Sequence, residues 1–332
     1  MSQEAGPMDP IRLAHEIETP GSKIVANKRL WTSYGVKKVI GRQLDQRQYV
    51  RCGRHATFVS WPRGGTPQGL PCGCEECPSE YVDPIFGFIT DGSAEEPSSR
   101  PAKVFSTRPY FARSEIENPE TVQVGGVATL TKASPGYLVV LCEGRKGQGF
   151  HICRECGAGF VTRPKSLKIP HKTPYGGDCS GQLDRVALGH EIPTDVVKLQ
   201  FHGTSPASQA DGRIWFAYSL AYAVLQGAAE ALEVPSTDLS VTVKQSEAGA
   251  EIPQVILYEN VPGGAGLVAR LEETEIFRQC LEEAKRRVRD CLCGENTSCD
   301  GCLRSYTNQF AHTHLARGPV ARYLENTLAR WT

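Results

Sequence analysis

The chain has 332 residues, among which 37 Lys and Arg residues balance 37 Asp and Glu residues, so the formal net charge is zero. This balance excludes a strongly basic coat protein and an acidic tail protein, but it leaves a local basic surface open. Hydrophobic residues make up 40% of the chain, which excludes wholesale disorder, and the length predicts two domains or three small ones.

The thirteen cysteines are the unusual feature of the composition. Residues 1–20 lack the apolar core of a secretory signal, and the longest mainly apolar run, residues 214–229, is shorter than the roughly 20 residues of a membrane span. We therefore expect a cytoplasmic protein with no membrane partner. In a reducing compartment, spaced cysteine pairs indicate metal sites more often than disulfides.

The first predicted elements are short strands such as Lys37–Ile40, followed by a cysteine-rich knot at residues 52–77. The Pro/Ser/Glu-rich stretch of residues 91–101 is typical of an exposed loop or linker. Beyond it, strand patterns recur, and the RKGQG run at 145–149 is expected to join the last two as a hairpin. The predicted strands are 122–130, 137–142 and 149–152.

After residue 195, strand and helix patterns alternate, which indicates an α/β arrangement. The helix at 213–232 is apolar around most of its circumference, so we expect other elements to enclose it. The predicted elements are strands at 196–201, 239–244 and 254–258, a glycine turn at 260–267, and helices at 213–232, 274–289 and 318–329.

The predicted fold class is therefore α/β (α+β) and multidomain. A zinc-ribbon-like β-hairpin module precedes an α/β domain that carries a four-cysteine zinc knuckle. We place an N-terminal region with a cysteine-rich zinc knot at 1–100, the ribbon-like β-rich module at 101–195 and the zinc-binding α/β domain at 196–332.

The strongest chemical signal is the segment CLCGENTSCDGC. Four thiolates within twelve residues can close a tetrahedral shell around zinc and leave no position for water, which is typical of a structural site. Iron–sulfur or redox chemistry is the alternative. The predicted ligands are Cys291, Cys293, Cys299 and Cys302.

Two further sites are predicted, which makes two or three structural Zn²⁺ ions in all. Cys153 and Cys156 form a C-x2-C pair at the tip of the predicted hairpin, and His171 and Cys179 are the ligands available downstream. A pair that binds nothing is the alternative for this site. The third set is Cys72, Cys74 and Cys77, with Cys52 or His55 as the fourth ligand.

Four of the five residues from 285 to 289 are basic and directly precede the knuckle. Helical spacing gives several of them a common solvent face that could contact nucleic-acid phosphates, although a simple solvated face has the same pattern. The residues predicted to contact nucleic acid are Lys285, Arg286, Arg289 and Arg304.

Nucleotide hydrolysis by this chain is not predicted, because the sequence contains neither a GK[ST] motif nor a helicase acidic box. The glycines of NVPGGAGL (residues 260–267) could cradle a phosphate, but a tight packing turn is the favoured interpretation. A rival hypothesis makes the chain a metal-dependent nuclease or other hydrolase, using His312, His314 or His190 with Glu191.

The C-terminal third resembles the zinc-binding C-terminal domain of MrfA-type DNA-repair helicases, and it is similar to DrmB of the DISARM anti-phage system. The resemblance rests on SLAYAVLQGAAEAL, ILYENVPGGAGLVARL and CLCGENTSCDGCLRSYTNQFAHTHLAR. The upstream C-x2-C hairpin and the LGHEIPTDVVKLQF strand are also similar, so the resemblance covers roughly residues 135–332. The knuckle cysteines match the family's four-cysteine signature. The motif that follows maps onto Ser305, Tyr306, Asn308, Gln309, His312, Leu315 and Arg317.

The resemblance implies a role beside a superfamily 2 DNA helicase, because the family's domain helps such a motor to engage or translocate on DNA. Since the motor motifs are absent from this sequence, an ATPase partner is expected to supply them. We therefore expect a non-catalytic zinc-binding accessory subunit that binds DNA or the motor, in phage defence or DNA repair. A purely structural protein–protein scaffold is the second alternative, beside the hydrolase.

Overall fold

The computed structural model describes residues 19–26, 28–39, 41–96, 105–161, 170–246 and 250–332. Over these residues the protein is mixed α+β, with several sheets and few helices, which confirms the predicted class. The α-helices are α1 (Ala210–Leu232), α2 (Thr274–Arg289) and α3 (Arg317–Ala329).

The strands of the described residues fall into four sheets. They are β1 (Lys23–Ala26), β2 (Arg29–Val36), β3 (Asp45–Cys52), β4 (Thr57–Pro62), β5 (Ser79–Asp83), β6 (Phe88–Glu95), β7 (Arg108–Ser114), β8 (Thr121–Val124), β9 (Ala128–Lys132), β10 (Gly136–Cys142), β11 (Phe150–Cys153), β12 (Gly159–Phe160), β13 (His171–Lys172), β14 (Asp178–Cys179), β15 (Leu183–Thr194), β16 (Val196–Phe201), β17 (Leu239–Lys244) and β18 (Gln254–Glu259).

The largest sheet is organised around the long strand β15. Its order is β12-β11-β15-β5-β3-β4, with β10 paired to β15 and β7 paired to β10. A five-stranded sheet follows the order β17-β18-β16-β9-β8, while β1-β2-β6 and β13-β14 form two smaller sheets. Most neighbouring strands are antiparallel, which suits the short connections of this chain.

The chain passes from the large sheet to the five-stranded sheet at Asp195, between β15 and β16. The domain boundary predicted at 195/196 falls at this corner. Strands β8 and β9 from the predicted middle module nevertheless pair with β16, so the five-stranded sheet takes strands from both sides of that boundary. The three-domain division stays a prediction.

Two expectations for the N-terminal third are wrong. The strand ends at Val36 instead of running through Lys37–Ile40, because the backbone N–H groups of Val36 and Lys37 donate to the turn carbonyls of Gly157 and Gly87. Ile40 lies outside the described residues. Residues 91–95 of the predicted linker belong to β6, since pairing with β2 outweighs their turn-like composition, and residues 97–101 are not described.

The predicted strand at 122–130 is a hairpin of β8 and β9. Gly125 and Gly126 have φ of 54° and 65°, and such a pair of left-handed residues is typical of the tight turns that join antiparallel strands. The strand pattern of the apolar residues continues on both sides of the turn, which is why the sequence suggested one uninterrupted strand.

The predicted hairpin of 137–142 with 149–152 is also wrong, although both strands exist. Strands β10 and β11 each pair with β15, at Cys142↔Leu188 and Phe150↔Val186, and lie one after the other along it. The RKGQG segment forms a compact loop in which the backbone N–H of Gly149 donates to Glu143 at 2.7 Å.

The main core surrounds α1, as its apolar circumference predicts. This helix contacts β17 and β18 of the five-stranded sheet as well as α2 and α3. The core continues into the knuckle through the buried residues Cys302 and Leu303. Among the described residues, none of the helices combines the length and the apolar character that a membrane crossing requires.

Candidate metal centres

The knuckle cysteines converge directly after α2. The Sγ atom of Cys291 lies 3.5 Å from that of Cys293 and 3.4 Å from that of Cys299, and the Sγ atoms of Cys293 and Cys302 are 3.8 Å apart. A tetrahedral zinc ion about 2.3 Å from each sulfur requires sulfurs roughly 3.8 Å apart. All thirteen cysteines are free, so the four sulfurs fit a metal and not disulfides.

The knuckle thiols differ in how readily they ionise. A hydrogen bond from the backbone of Cys293 lowers the pKa of the Cys291 thiol to about 7, whereas burial raises the pKa of Cys302 to about 12. Because the thiolate is the form that binds metal, a divalent cation must offset the cost of ionising Cys302. Four thiolates leave no ligand position open for water, so the set suits a structural ion.

The second cluster joins β11, β13 and β14. Cys153 and Cys156 are brought together with His171 and Cys179, all with ligand atoms within 4.8 Å of one another. The Sγ atoms of Cys153 and Cys179 are 3.8 Å apart, and Nε2 of His171 lies 3.3 Å from Sγ of Cys156. These are the four residues that the sequence nominated for this site.

The hairpin that holds this pair differs from the predicted one. Cys153 and Cys156 occupy the turn between β11 and the short strand β12, where the backbone N–H of Gly157 donates to the carbonyl of Cys153. Burial lowers the pKa of His171, which favours the neutral imidazole that binds metals. Three thiols and one imidazole are a common structural zinc set.

The third cluster lies between β3, β4 and the loop that follows. Sγ of Cys52 and Sγ of Cys74 each lie 3.4 Å from Nδ1 of His55, and Cys72 completes the group. Cys77 is not part of the group: it is exposed, in the irregular segment before β5. The structure thus brings both candidates for the fourth position, Cys52 and His55, to Cys72 and Cys74, and it does not bring Cys77 to them.

The turn between β3 and β4 explains this arrangement. Residues 53–56 fold back tightly, with Ala56 at φ 48°, so the C-x2-H spacing of Cys52 and His55 carries both side chains to the same side. The C-x2-H pattern is the sequence signal that points to His55. The presence of three cysteines within six residues, 72–77, pointed instead to Cys77.

The cations predicted to contact nucleic acid do not form one equivalent set. Arg286 and Arg289 have well-exposed side chains that pair with Glu283 and Asp290, and Lys285 is half-buried on the same helix. Arg304 instead points inward, with Nε donating to Ser298 Oγ at 3.1 Å. The exposed cations on α2 are thus separate from Arg304.

Several backbone donors in and next to the glycine loop at 260–267 are occupied by carboxylates, and those of Gly263 and Gly264 are occupied by carbonyls. The buried Glu259 accepts from the N–H groups of Ala265 at 2.6 Å and Val268 at 3.0 Å, and Asp195 accepts from Gly266 at 2.9 Å. These acceptors take the donors that a phosphate would need. The loop therefore packs against the corner between the two sheets, as the favoured interpretation expected.

The residues of the rival hydrolase hypothesis do not converge. His190 bonds Asp83 at 3.0 Å, whereas the neighbouring Glu191 pairs with Arg113. His314 stacks on Trp215 with ring centroids 4.0 Å apart. Successive residues of a strand face opposite sides, so His190 and Glu191 cannot act as an acid–base pair on one substrate.

Residues 220–303 match the family model described as MZB, the MrfA Zn-binding domain. The match includes α2 and all four knuckle cysteines. It confirms the resemblance expected for the C-terminal third, since residues 220–303 are similar to the MrfA Zn-binding domain. Together with the three clusters, it supports zinc as the bound metal.

The chain is also 29% identical, over 365 aligned positions, to the Druantia protein DruE of Escherichia coli (strain UMEA 4076-1). The alignment covers 97% of this chain and 19% of DruE. This chain is also similar to two crystal structures of the DUF1998 helicase MrfA, one bound to DNA and one bound to DNA and AMPPNP. Each is 13% identical to this chain, and the TM-scores are 0.39 and 0.26. Each covers 70% of this chain, which spans 26% and 23% of those chains.

Proposed function

We propose that the chain is a non-catalytic zinc-binding accessory subunit of a superfamily 2 DNA helicase or translocase. It would act in DISARM-like anti-phage defence or in DNA repair. There it would help the motor to engage DNA, or it would provide the surface onto which the motor docks. The match of residues 220–303 to the MrfA Zn-binding domain carries this proposal. MrfA itself is described as a helicase bound to DNA.

The knuckle supports a role in positioning. A zinc ion held by four thiolates would link the segment directly after α2 to residues 299–302, and the Nε group of Arg287 on α2 donates to the Cys302 carbonyl at 3.2 Å. The end of α2 and the knuckle would then form one rigid body. In this arrangement the ion stabilises the fold and activates no water.

The exposed face of α2 is the proposed DNA contact. Arg286 and Arg289 expose 62% and 58% of their side chains, and each bonds a neighbouring carboxylate that a phosphate could replace. Exposed pairs of this kind contribute little to stability, so exchanging a carboxylate for a phosphate costs little. The contact would therefore be weak, independent of DNA sequence and sensitive to salt.

Fluorescence anisotropy with single-stranded and duplex oligonucleotides at about 50 and 200 mM salt tests this proposal. Replacing Arg286 and Arg289 together by Gln should weaken binding and reduce the salt slope by roughly 2. Arg278→Gln is the matched control, because Arg278 lies on the same helix and also pairs with a glutamate, Glu282.

Purification of the tagged chain from its native cells should also recover an ATPase that carries the motifs of superfamily 2 helicases. If binding is insensitive to salt both alone and with that ATPase, the DNA role fails and the scaffold alternative gains support. Metal-dependent cleavage that is lost in His312→Ala would instead support the hydrolase.

A further inference from the structure

Three arginine side chains surround the knuckle and bond its polar groups. Arg317 donates to the carbonyls of Cys293 at 2.7 Å and Val288 at 3.1 Å, and Arg287 donates to the Cys302 carbonyl at 3.2 Å. Arg304 donates to Ser298 Oγ and, at 3.3 Å, to the carbonyl of His312. All three side chains are half-buried.

Within the described part of the chain, none of these three guanidinium groups forms an ion pair with a carboxylate. The neighbouring exposed arginines do: Arg289 pairs with Asp290, and Arg322 with Glu295 of the knuckle. Half-buried charges are normally paired, because desolvation penalises an isolated ion. Three such cations around one small loop therefore indicate a negative charge at its centre.

The four cysteines supply that charge when they hold a metal. Four thiolates around one divalent cation leave two negative charges in excess. Of the nearby acids, Asp290, Glu295 and Glu283 pair with other arginines, and Glu230 and Asp300 are exposed. The metal–thiolate centre is thus the negative charge enclosed within the loop whose polar groups the three arginines bond.

We propose that Arg287, Arg304 and Arg317 form an arginine collar that compensates the excess negative charge of the four-thiolate centre and thereby sets its affinity for a divalent cation. This inference rests on the zinc content of the function proposed above. It assigns Arg304 to the metal centre and not to the DNA surface. Loss of one collar charge should weaken metal binding about 10- to 100-fold, the range typical of groups that support metal ligands.

Cobalt(II) titration of the metal-free full chain measures this affinity, since thiolate-to-cobalt absorption reports on the sulfur ligands. The double variant Cys293→Ser, Cys299→Ser lacks two ligands of the knuckle. The absorption that it loses relative to the parent is therefore the part that belongs to the knuckle. We expect Arg317→Gln and Arg304→Gln to weaken cobalt binding there, and Arg317→Lys, which keeps the charge, to restore part of the affinity. Arg322→Gln is the control, because Arg322 has Glu295 as its own partner.

The cluster of Cys153, Cys156, His171 and Cys179 serves as an internal reference for folding. A loss of cobalt affinity confined to the knuckle supports the arginine collar. An equal loss of affinity at both clusters would mean that the arginines only support the fold, and it would overturn the collar. Variants that bind cobalt as tightly as the parent would also overturn the collar, while leaving the zinc content intact. Failure of the unmodified knuckle to take up metal would overturn the zinc proposal as well.

Discussion

The side-chain oxygen of Asn308 accepts a hydrogen bond from Nε2 of His312 at 2.8 Å and another from the backbone N–H of Ser305 at 2.8 Å. The amide nitrogen of Asn308 donates to the Leu303 carbonyl at 2.8 Å. These bonds close the loop after the knuckle from within. Residues 303–312 thus form an internal hydrogen-bond network around the buried Asn308.

Asn308→Ala should therefore lower the free energy of unfolding by about 1–3 kcal/mol. The substitution removes the partner of the Ser305 N–H group, of His312 Nε2 and of the Leu303 carbonyl. Gln309→Ala is the control within the same motif, since Gln309 is exposed. Chemical denaturation at saturating zinc measures both. Equal stabilities of the two variants would contradict the internal role of Asn308.

Helices α1 and α2 pack closely against each other at Gly227. A Cβ atom built on Gly227 would lie 2.1 Å from the carbonyl oxygen of Cys280 and 2.9 Å from the backbone nitrogen of Ala284. Both are backbone atoms, so the helices would have to move apart. We expect Gly227→Ala to destabilise the protein by about 1–3 kcal/mol, although alanine is the better helix former.

Gly212→Ala provides the comparison within α1. Its Cβ would meet a loop methyl group, that of Ala207, at 3.0 Å, and no backbone atom of another helix. The change in stability should stay below about 1 kcal/mol. A thermal unfolding measurement in which Gly227→Ala is the more stable variant would show that the two helices can separate at little cost.

The C-terminal elements could be predicted well because their apolar periodicity is long and uninterrupted. Helix α2 spans the predicted residues 274–289, and α1 begins three residues before its predicted start at Arg213. The knuckle was predictable for a different reason: its four cysteines lie within twelve residues, so little of the chain has to fold to bring them together.

Strand pairing across long separations could not be predicted from local patterns. Strands β10 and β11 read as a hairpin because a glycine-rich loop separates them, but both pair with β15, which comes some forty residues later. The same limit explains Cys77. The spacing of Cys77 from Cys74 suits a metal site. The turn at residues 53–56 nevertheless places His55, and not Cys77, beside Cys52, Cys72 and Cys74.

His190 provides a test of pH dependence. Its hydrogen bond to Asp83 raises the pKa of His190 above its ordinary value, against the opposing effect of burial. A histidine whose pKa is raised by folding stabilises the protein fully below its unfolded pKa, about 6.5, and this contribution is lost as the pH rises through the folded pKa. Because the ring is partly exposed, we expect less than about 1 kcal/mol.

Asp83→Asn removes the carboxylate and with it the raised pKa. The free energy of unfolding of the parent minus that of the variant should be larger at pH 6 than at pH 9, at constant free zinc. Taking this difference cancels the pH dependence of zinc binding itself, which both proteins share. A difference that grows with pH would contradict the assigned ion pair.

The N-terminal cluster gives the sharpest test of the metal assignments, because His55 and Cys77 are alternatives for one ligand position beside Cys52, Cys72 and Cys74. Nδ1 of His55 lies 3.4 Å from the sulfurs of both Cys52 and Cys74, while Cys77 is exposed. Elemental analysis of the purified chain should find three zinc ions. His55→Ala should reduce the count to two or greatly weaken the third ion, and Cys77→Ala should leave all three.

The two variants control for each other, since each removes one potential ligand from the same short region. Cys72→Ser should behave like His55→Ala, because Cys72 belongs to the same four-residue group. A chelator that removes zinc from this cluster should also lower stability, as the ion cross-links β3, the turn before β4 and the loop at 72–74. If Cys77→Ala loses an ion while His55→Ala keeps three, His55 is not a ligand and the predicted Cys77 must move inward on metal binding.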